Sequence, residues 1–227
     1  MSNKKPSKEV VQSLAHLVQQ AAKEQADNDG MHQELELSLG TQTPSGFQPG
    51  VAQSHFTQIL NQCTSYAGWD EVQDWETTLT FALPNSVRMT RYQAGNRADQ
   101  FEVKERRACI DLLSSSSDFG VRASWRTEMA CDPPNSIDQV AYVRCRKRKS
   151  FLYHNTRIDL SMVWEGETYD LMRAAVQAQR QRYEVEVEAI NVVDKRGSTY
   201  TAQSLLYKIR DFLPSRNISN FIISTAV

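Results

Sequence analysis

Two stretches of this chain set a carboxylate at every second position with apolar residues between them: Glu34-Leu35-Glu36-Leu37 and Glu184-Val185-Glu186-Val187-Glu188. In an extended strand, residues i, i+2 and i+4 share one face. Leu35, Leu37, Val185 and Val187 then point one way, and five glutamates point the other. Carboxylates that neighbour one another on such a face sit roughly 6.5–7 Å apart. At an effective dielectric of about 20, each pair repels by roughly 2.4 kcal/mol. A row of this kind persists if water bathes it or if cations neutralise it. For either segment alone, the ordinary reading is the wet face of an antiparallel sheet.

The opposite pattern elsewhere changes that reading. In Arg144-Cys145-Arg146-Lys147-Arg148-Lys149-Ser150, the residues Arg144, Arg146, Arg148 and Ser150 share a strand face, with Cys145 on the other. Arg157-Ile158-Asp159-Leu160-Ser161 alternates in the same way, and Val87-Arg88-Met89-Thr90 puts Arg88 and Thr90 on a polar side. Strands that close on themselves with these faces inward form a barrel whose lumen opposes glutamates to arginines. Such a lumen suits a metal ion bound to an anionic substrate. The planar fork of arginine donors matches phosphate oxygens, so an arginine row fits a polyanion.

Composition excludes more than it assigns. The chain has 227 residues, enough to bury a core without disulfide or metal staples. A net charge of −1 names no partner, and the information lies in how charge is segregated. No apolar run approaches the roughly 20 residues of a membrane span, so no membrane association is expected. Met1–Pro6 has no hydrophobic stretch behind it and does not read as a secretory signal. Cys63, Cys109, Cys131 and Cys145 lack zinc-type spacing and read as reduced thiols of an intracellular protein. His16, His32, His55 and His154 form no H-x-x-x-H pair. Neither a Walker-type phosphate loop nor a G-x-S-x-G nucleophile elbow is present.

Periodicity predicts an amphipathic helix over 8–25, with Val10, Leu14, Leu17, Val18 and Ala21 on one stripe; it packs beneath a barrel or against a partner. The first acidic strand follows at 32–39. Gly40–Gly50, with Pro44, Gly46 and Pro49, reads as a loop, and a helix is expected over 53–66. Strands are expected at 73–82, 86–93, 100–110 and 119–130, with the serine run Ser114–Asp118 as a loop and Cys131–Asn135 closing the group. The basic strand falls at 139–152, a mixed strand at 155–164, a helical stretch at 167–180, the second acidic strand at 182–190 and a closing helix at 202–213. The fold class is α+β, mainly antiparallel β. Residues 1–30 read as a tail and helix, and 31–227 as a single domain.

Taken together, these strands resemble the metal-dependent mRNA 5'-triphosphatases of fungal and protozoan capping, in the triphosphate tunnel family. The resemblance runs from Gln33 to Ile190. It rests on three motifs in order: Glu34-Leu35-Glu36-Leu37-Ser38-Leu39-Gly40; Arg144-x-Arg146-x-Arg148-x-Ser150 followed by Arg157-Ile158-Asp159-Leu160-Ser161; and Tyr183-Glu184-Val185-Glu186-Val187-Glu188. Weaker correspondences are Arg88-Met89-Thr90, Lys104-Glu105-Arg106-Arg107 and Val121–Glu128.

The resemblance implies an eight-stranded tunnel barrel with packed helices that removes the γ-phosphate from triphosphate-ended RNA, using Mn2+ or Mg2+. By residue match, Glu34, Glu36 and Glu188 hold the metal, and oxygen ligands suit such hard cations. Glu128 orients or deprotonates the attacking water. Arg88, Arg146 and Arg148 grip the transferring phosphate, with Lys104 and Arg144 beside them. Arg157, Asp159, Glu184 and Glu186 support these groups. A nuclear location and a guanylyltransferase partner are further implications, and the oligomeric state is left open. One departure is Ser38, where many family members carry a lysine. Two rival readings remain at this point. One is a tunnel hydrolase of inorganic or nucleoside triphosphates. The other is a non-catalytic RNA-binding β module that uses Arg144–Lys149 with Phe151 and Tyr153 as a basic, aromatic surface.

Overall fold

Alternation between apolar and charged residues is carried through eight strands that close into an antiparallel barrel. The structure, a computed structural model, describes residues 5–28, 30–114, 119–134, 137, 139–214 and 217–224. In chain order the elements are α1 (Lys8–Asp27), β1 (His32–Thr43), β2 (Gly46–Pro49), α2 (Gln53–Ser65), β3 (Glu71–Ala82), β4 (Val87–Tyr92) and β5 (Gln100–Ser114). There follow β6 (Phe119–Ala130), β7 (Tyr142–Tyr153), β8 (Thr156–Gly166), α3 (Tyr169–Gln177), β9 (Arg182–Ala189), α4 (Ser198–Asp211) and β10 (Phe221–Ser224). The ring runs β1-β6-β5-β4-β3-β7-β8-β9 and returns to β1. β2 and β10 are appended outside the ring, on β1 and β5.

The floor of the barrel explains why the acidic strands turn inward. Leu35, Leu37, Val185, Val187, Ile158 and Leu160 are all buried on its outer side. They share one core with Val10, Leu14, Val18 and Ala21 of α1, Phe56 and Ile59 of α2, and Leu205, Leu206 and Ile209 of α4. Because side chains alternate, burying this apolar set commits Glu34, Glu36, Glu184, Glu186 and Glu188 to the lumen. The N-terminal helix therefore lies beneath the barrel, against β1 and α4. It starts where Ser7 caps it, the hydroxyl accepting from the Val10 N–H at 3.2 Å. No helix among the described residues is long and apolar enough to cross a membrane. All four cysteines are free thiols.

Three expectations need correction. Gly40–Gly50 is not a plain loop: β1 continues to Thr43 and pairs with β2 as a hairpin, with Gly46 at φ 109° in the turn. Proline and glycine here mark an edge hairpin rather than an absence of pairing. The four-residue β10 has no counterpart in the sequence reading, since its short apolar run carries no alternation of its own. The basic strand begins at Tyr142, not 139, and α4 begins at Ser198, not 202. Of the serine run, Ser114 ends β5; Ser115–Asp118 lie outside the described residues, as do Met1–Lys4, Asp29 and Asn135.

Gly40 sits where β1 is flanked by both β2 and β6, paired with Pro49 and Gly120. An added Cβ would overlap the Gln48 carbonyl and the Phe47 ring. Gly40→Ala should therefore lower the thermal midpoint, at a cost of about 1–3 kcal/mol, in a calorimetric or circular-dichroism melt.

Candidate active site

Around the lumen, adjacent strands mostly present opposite charges at matching register. Glu34 lies opposite Arg126, Glu128 opposite Lys104, Glu102 opposite Arg88, Glu165 opposite Arg144, and Glu188 opposite Arg157. Like charges meet on the floor, where Glu36 faces Glu188 and Glu186 faces Asp159. These side chains bound two joined spaces. A cavity of about 350 Å³ is lined by Arg88, Lys104, Glu128 and the row Arg144, Arg146 and Arg148. A deeper one of about 100 Å³ adds Glu36, Arg126, Asp159 and Glu186.

Lys104 Nζ bridges Glu34, at 2.5 Å, and Glu128. Arg126 donates to Glu36 and, at 3.4 Å, to Glu34. Arg157 reaches Glu188 at 2.5 Å and Asp159 at 3.1 Å, while Arg148 Nη1 and the Ser150 hydroxyl also donate to Asp159. Glu184 is held by Arg144 and by Arg182, which also forks onto Glu165 with two 2.8 Å bonds. Among the described residues, Arg88 and Arg146 have no carboxylate within ion-pair distance. They are the unpaired guanidiniums of the lumen.

Electrostatics follow from these contacts. Burial opposes charge on Glu34, yet Lys104 and Arg126 hold its carboxyl down at about 2. Glu36 is pushed up to about 8 by burial and by Glu186 and Glu34, with Arg126 only partly offsetting them. Glu188 also rises to about 8 through burial, against the pull of Arg157. Glu186 is raised by burial and Glu184. Arg88 and Arg146 are lowered by burial, and for Arg146 the neighbouring Arg148 and Arg144 add to it. The floor is thus short of positive charge at Glu36, Glu186 and Glu188, and two arginines close by are short of negative charge.

That imbalance is the test of a metal. Glu34, Glu36 and Glu188 supply hard oxygen donors on adjacent strands, and a divalent cation would relieve the charge that burial and Glu186 place on Glu36. The donor chemistry fits Mn2+ or Mg2+. Among the described residues, no three such side chains are drawn into a cage; Lys104, Arg126 and Arg157 pair with Glu34, Glu36 and Glu188.

Every sequence-expected site residue reaches this region: Glu128, Glu34, Glu36, Glu188, Arg88, Lys104, Arg144, Arg146, Arg148, Arg157, Asp159 and Glu186 line the cavities, and Glu184 sits beside them on Arg144. Sequence reasoning missed Arg126, Arg182 and Glu165. Arg126 shares parity with Glu128, which is the signal that could have found it. It also puts a cation beside Glu36, whereas Ser38 offers only a hydroxyl 3.5 Å from Glu36 and from Glu186. The basic run does not form one surface. Its arginines turn inward, while Lys147 lies over Trp75 and Lys149 over Phe151 on the outside. The surface-binding module loses its basis.

The family model described as mRNA capping enzyme, beta chain, matches residues 66–213, well over half of the chain. The chain belongs to that family. This capping triphosphatase is therefore a metal-dependent RNA 5'-triphosphatase that hydrolyses the triphosphate end of mRNA. The matched span leaves out β1, so Glu34 and Glu36 are placed by geometry. The fold is that of the S. pombe Pct1 RNA triphosphatase, with TM-score 0.69 and 17% identity over 92% of this chain and 94% of that one. Pct1 in complex with the Spt5 CTD gives 0.68 and 18% identity, over 92% and 93%. The Mimivirus capping enzyme triphosphatase gives 0.61 and 13% identity, over 91% and 98%. No curated protein matches this sequence significantly.

Three outcomes follow for the capping triphosphatase. Arg126→Ala strips the cation shared by Glu34 and Glu36 and should destabilise the metal-free fold by about 3–5 kcal/mol, read from its melt. Glu36 and Glu188 keep their protons in the folded state up to about 8, whereas the unfolded chain releases them near the ordinary carboxylate value. The unfolded state then binds fewer protons, so metal-free stability falls as pH rises through that window. Glu34, held at about 2, acts in the opposite sense, only below it. Manganese should raise the thermal midpoint more at about pH 8.5 than at about pH 6, since ligands must lose their protons to bind.

Proposed function

We propose that this triphosphatase holds one Mn2+ or Mg2+ on Glu34, Glu36 and Glu188 and grips the terminal phosphate of triphosphate-ended RNA with Arg88 and Arg146. The observation that carries this reading is charge left unmatched in one enclosed space: two half-buried arginines without carboxylates, facing glutamates without enough cations. When bound, the metal supplies Lewis-acid neutralisation of phosphate charge.

The chain's own residues do the rest. Arg146 stands between Arg144 and Arg148 on β7, and all three line the same cavity as Arg88. Arg148 spends one N–H on Asp159 and keeps further donors for phosphate oxygens. Asp159, tied to Arg148, Arg157 and Ser150, fixes the direction of that fork. Lys104 joins Glu34 to Glu128 and so sets Glu128 at a fixed place beside the metal ligands. In that position Glu128 orients the attacking water for in-line displacement. Preorganised cations around the transferring group provide most of the acceleration in this class of reaction.

The membership in a capping family also supports a nuclear protein whose diphosphate-ended product passes to a guanylyltransferase. Nuclear fractionation and co-purification test those two points. Small triphosphates are the competing substrates, since the same arginines would hold them. Phosphate release from triphosphate-ended RNA in manganese, set beside ATP and inorganic triphosphate, decides between them. Faster turnover per encounter on the small substrates would reverse the assignment.

Three sets of variants test the roles. Glu34→Ala, Glu36→Ala and Glu188→Ala should each abolish manganese-dependent phosphate release in protein shown to be folded. Glu128→Gln should keep the fold and metal-induced stabilisation while turnover falls by about 10²–10⁴-fold. Arg146→Lys keeps charge but loses the fork and should lower activity clearly. Lys147→Ala, on the outer face, should be tolerated; equal damage from the two would show that the face assignment is wrong.

A further inference from the structure

Tyr92 ends β4 and shares the inward parity of Arg88 and Thr90. It lines the main cavity with Arg88 and Arg146, and also a second space of about 440 Å³ bounded by Gln73, Asp74, Glu76, Arg97, Arg148 and Ser150. Arg148 borders both, so the arginine row leads from one space into the other. Arg97, in the segment between β4 and β5, places its guanidinium 4.6 Å from the centroid of the Tyr92 ring.

Both halves of this stack are anchored. The Tyr92 hydroxyl donates to Gln100 Oε1 at 2.8 Å, and Arg97 Nη1 pairs with Glu76 Oε1 at 2.8 Å. The Arg97 side chain is still 59% exposed. Nothing in the phosphate chemistry uses either residue. An aromatic ring and a guanidinium held against it are the groups on which unpaired bases stack. Glu76 and Asp74 also line the second space, each paired with a cation, Arg97 and Lys149, and their remaining lone pairs can accept from base amino or ribose hydroxyl groups.

We propose that Tyr92 and Arg97 form a stacking platform for the first nucleobase of the triphosphate-ended RNA. This rests on the reading that Arg88 and Arg146 grip the terminal phosphate. From Arg88 to Tyr92 the strand advances about 13 Å, which leaves room for the remaining phosphates and the first ribose. The platform gives the enzyme a hold on RNA that inorganic triphosphate lacks.

The test compares a short triphosphate-ended RNA with the same RNA made abasic at its first nucleotide, with inorganic triphosphate as a third substrate, all in manganese. Wild-type protein should show a KM about tenfold higher for the abasic RNA, with kcat little changed. Arg97→Ala and Tyr92→Leu should raise KM for intact RNA by a similar factor and no longer distinguish it from the abasic form. Arg97→Lys, which keeps the charge but not the plane, should resemble Arg97→Ala. The proposal is overturned if wild-type protein treats the two RNAs alike, or if the variants retain the full difference. A contact that only pins the segment after β4 would lower the thermal midpoint of Arg97→Ala and shift KM equally for both RNAs, which also overturns it. Wild-type protein that cleaves inorganic triphosphate but neither RNA overturns the underlying substrate reading, and this one with it.

Discussion

A charge inside a closed barrel has little to solvate it except side chains from other strands. Removing an ion from water costs several kcal/mol even after relaxation, and breaking a buried pair exposes that cost in full. The lumen of this protein therefore depends on register. Glu34 meets Arg126, Glu128 meets Lys104 and Glu188 meets Arg157 only because each strand lies at one offset from the next. The offset is held from outside, where Leu35, Leu37, Val185 and Val187 are buried against the helices. A slip of one residue would put leucines in the lumen and carboxylates in the core. Apolar packing fixes the register, and the register fixes the electrostatics.

Against this neutralised background, the few unmatched groups stand out. Glu36 and Glu188 carry raised proton affinity on the floor, and Arg88 and Arg146 lack carboxylate partners on the walls. A structural ion-pair lattice would have no reason to leave both signs incomplete within one space. A cation and a polyphosphate complete both at once. Arg126 and Arg157, by contrast, pair with Glu36 and Glu188 and offset part of the charge on the floor.

Much of this was legible from period-2 alternation. The sequence alone put Glu34 and Glu36, and Glu184, Glu186 and Glu188, each on one strand face opposite an apolar row, and the arginines of β7 on a shared face. The family resemblance made those faces a lumen. What it could not give was pairing across strands. The ladder between β5 and β6 shifts between Arg106 and Ala108, and that between β3 and β7 shifts between Gln73 and Glu76. Bulges of this kind erase any register counted from strand ends. Arg126, Arg182 and Glu165 were missed because each matters through a neighbour on another strand. Gly40–Gly50 was misread because turn-forming residues also build an edge hairpin.

Closure of the ring has a further consequence. β1 finds β6 and β9 on its two sides, so the sheet has no seam through which a chain could be laid sideways into the lumen. A polymer can reach the arginines only tip first. Internal phosphodiesters, which lack a free end to insert, are kept away from the reactive centre by topology rather than by recognition. The barrel thus acts as a gauge for chain termini, and a row of arginines can line its interior without making it a nuclease.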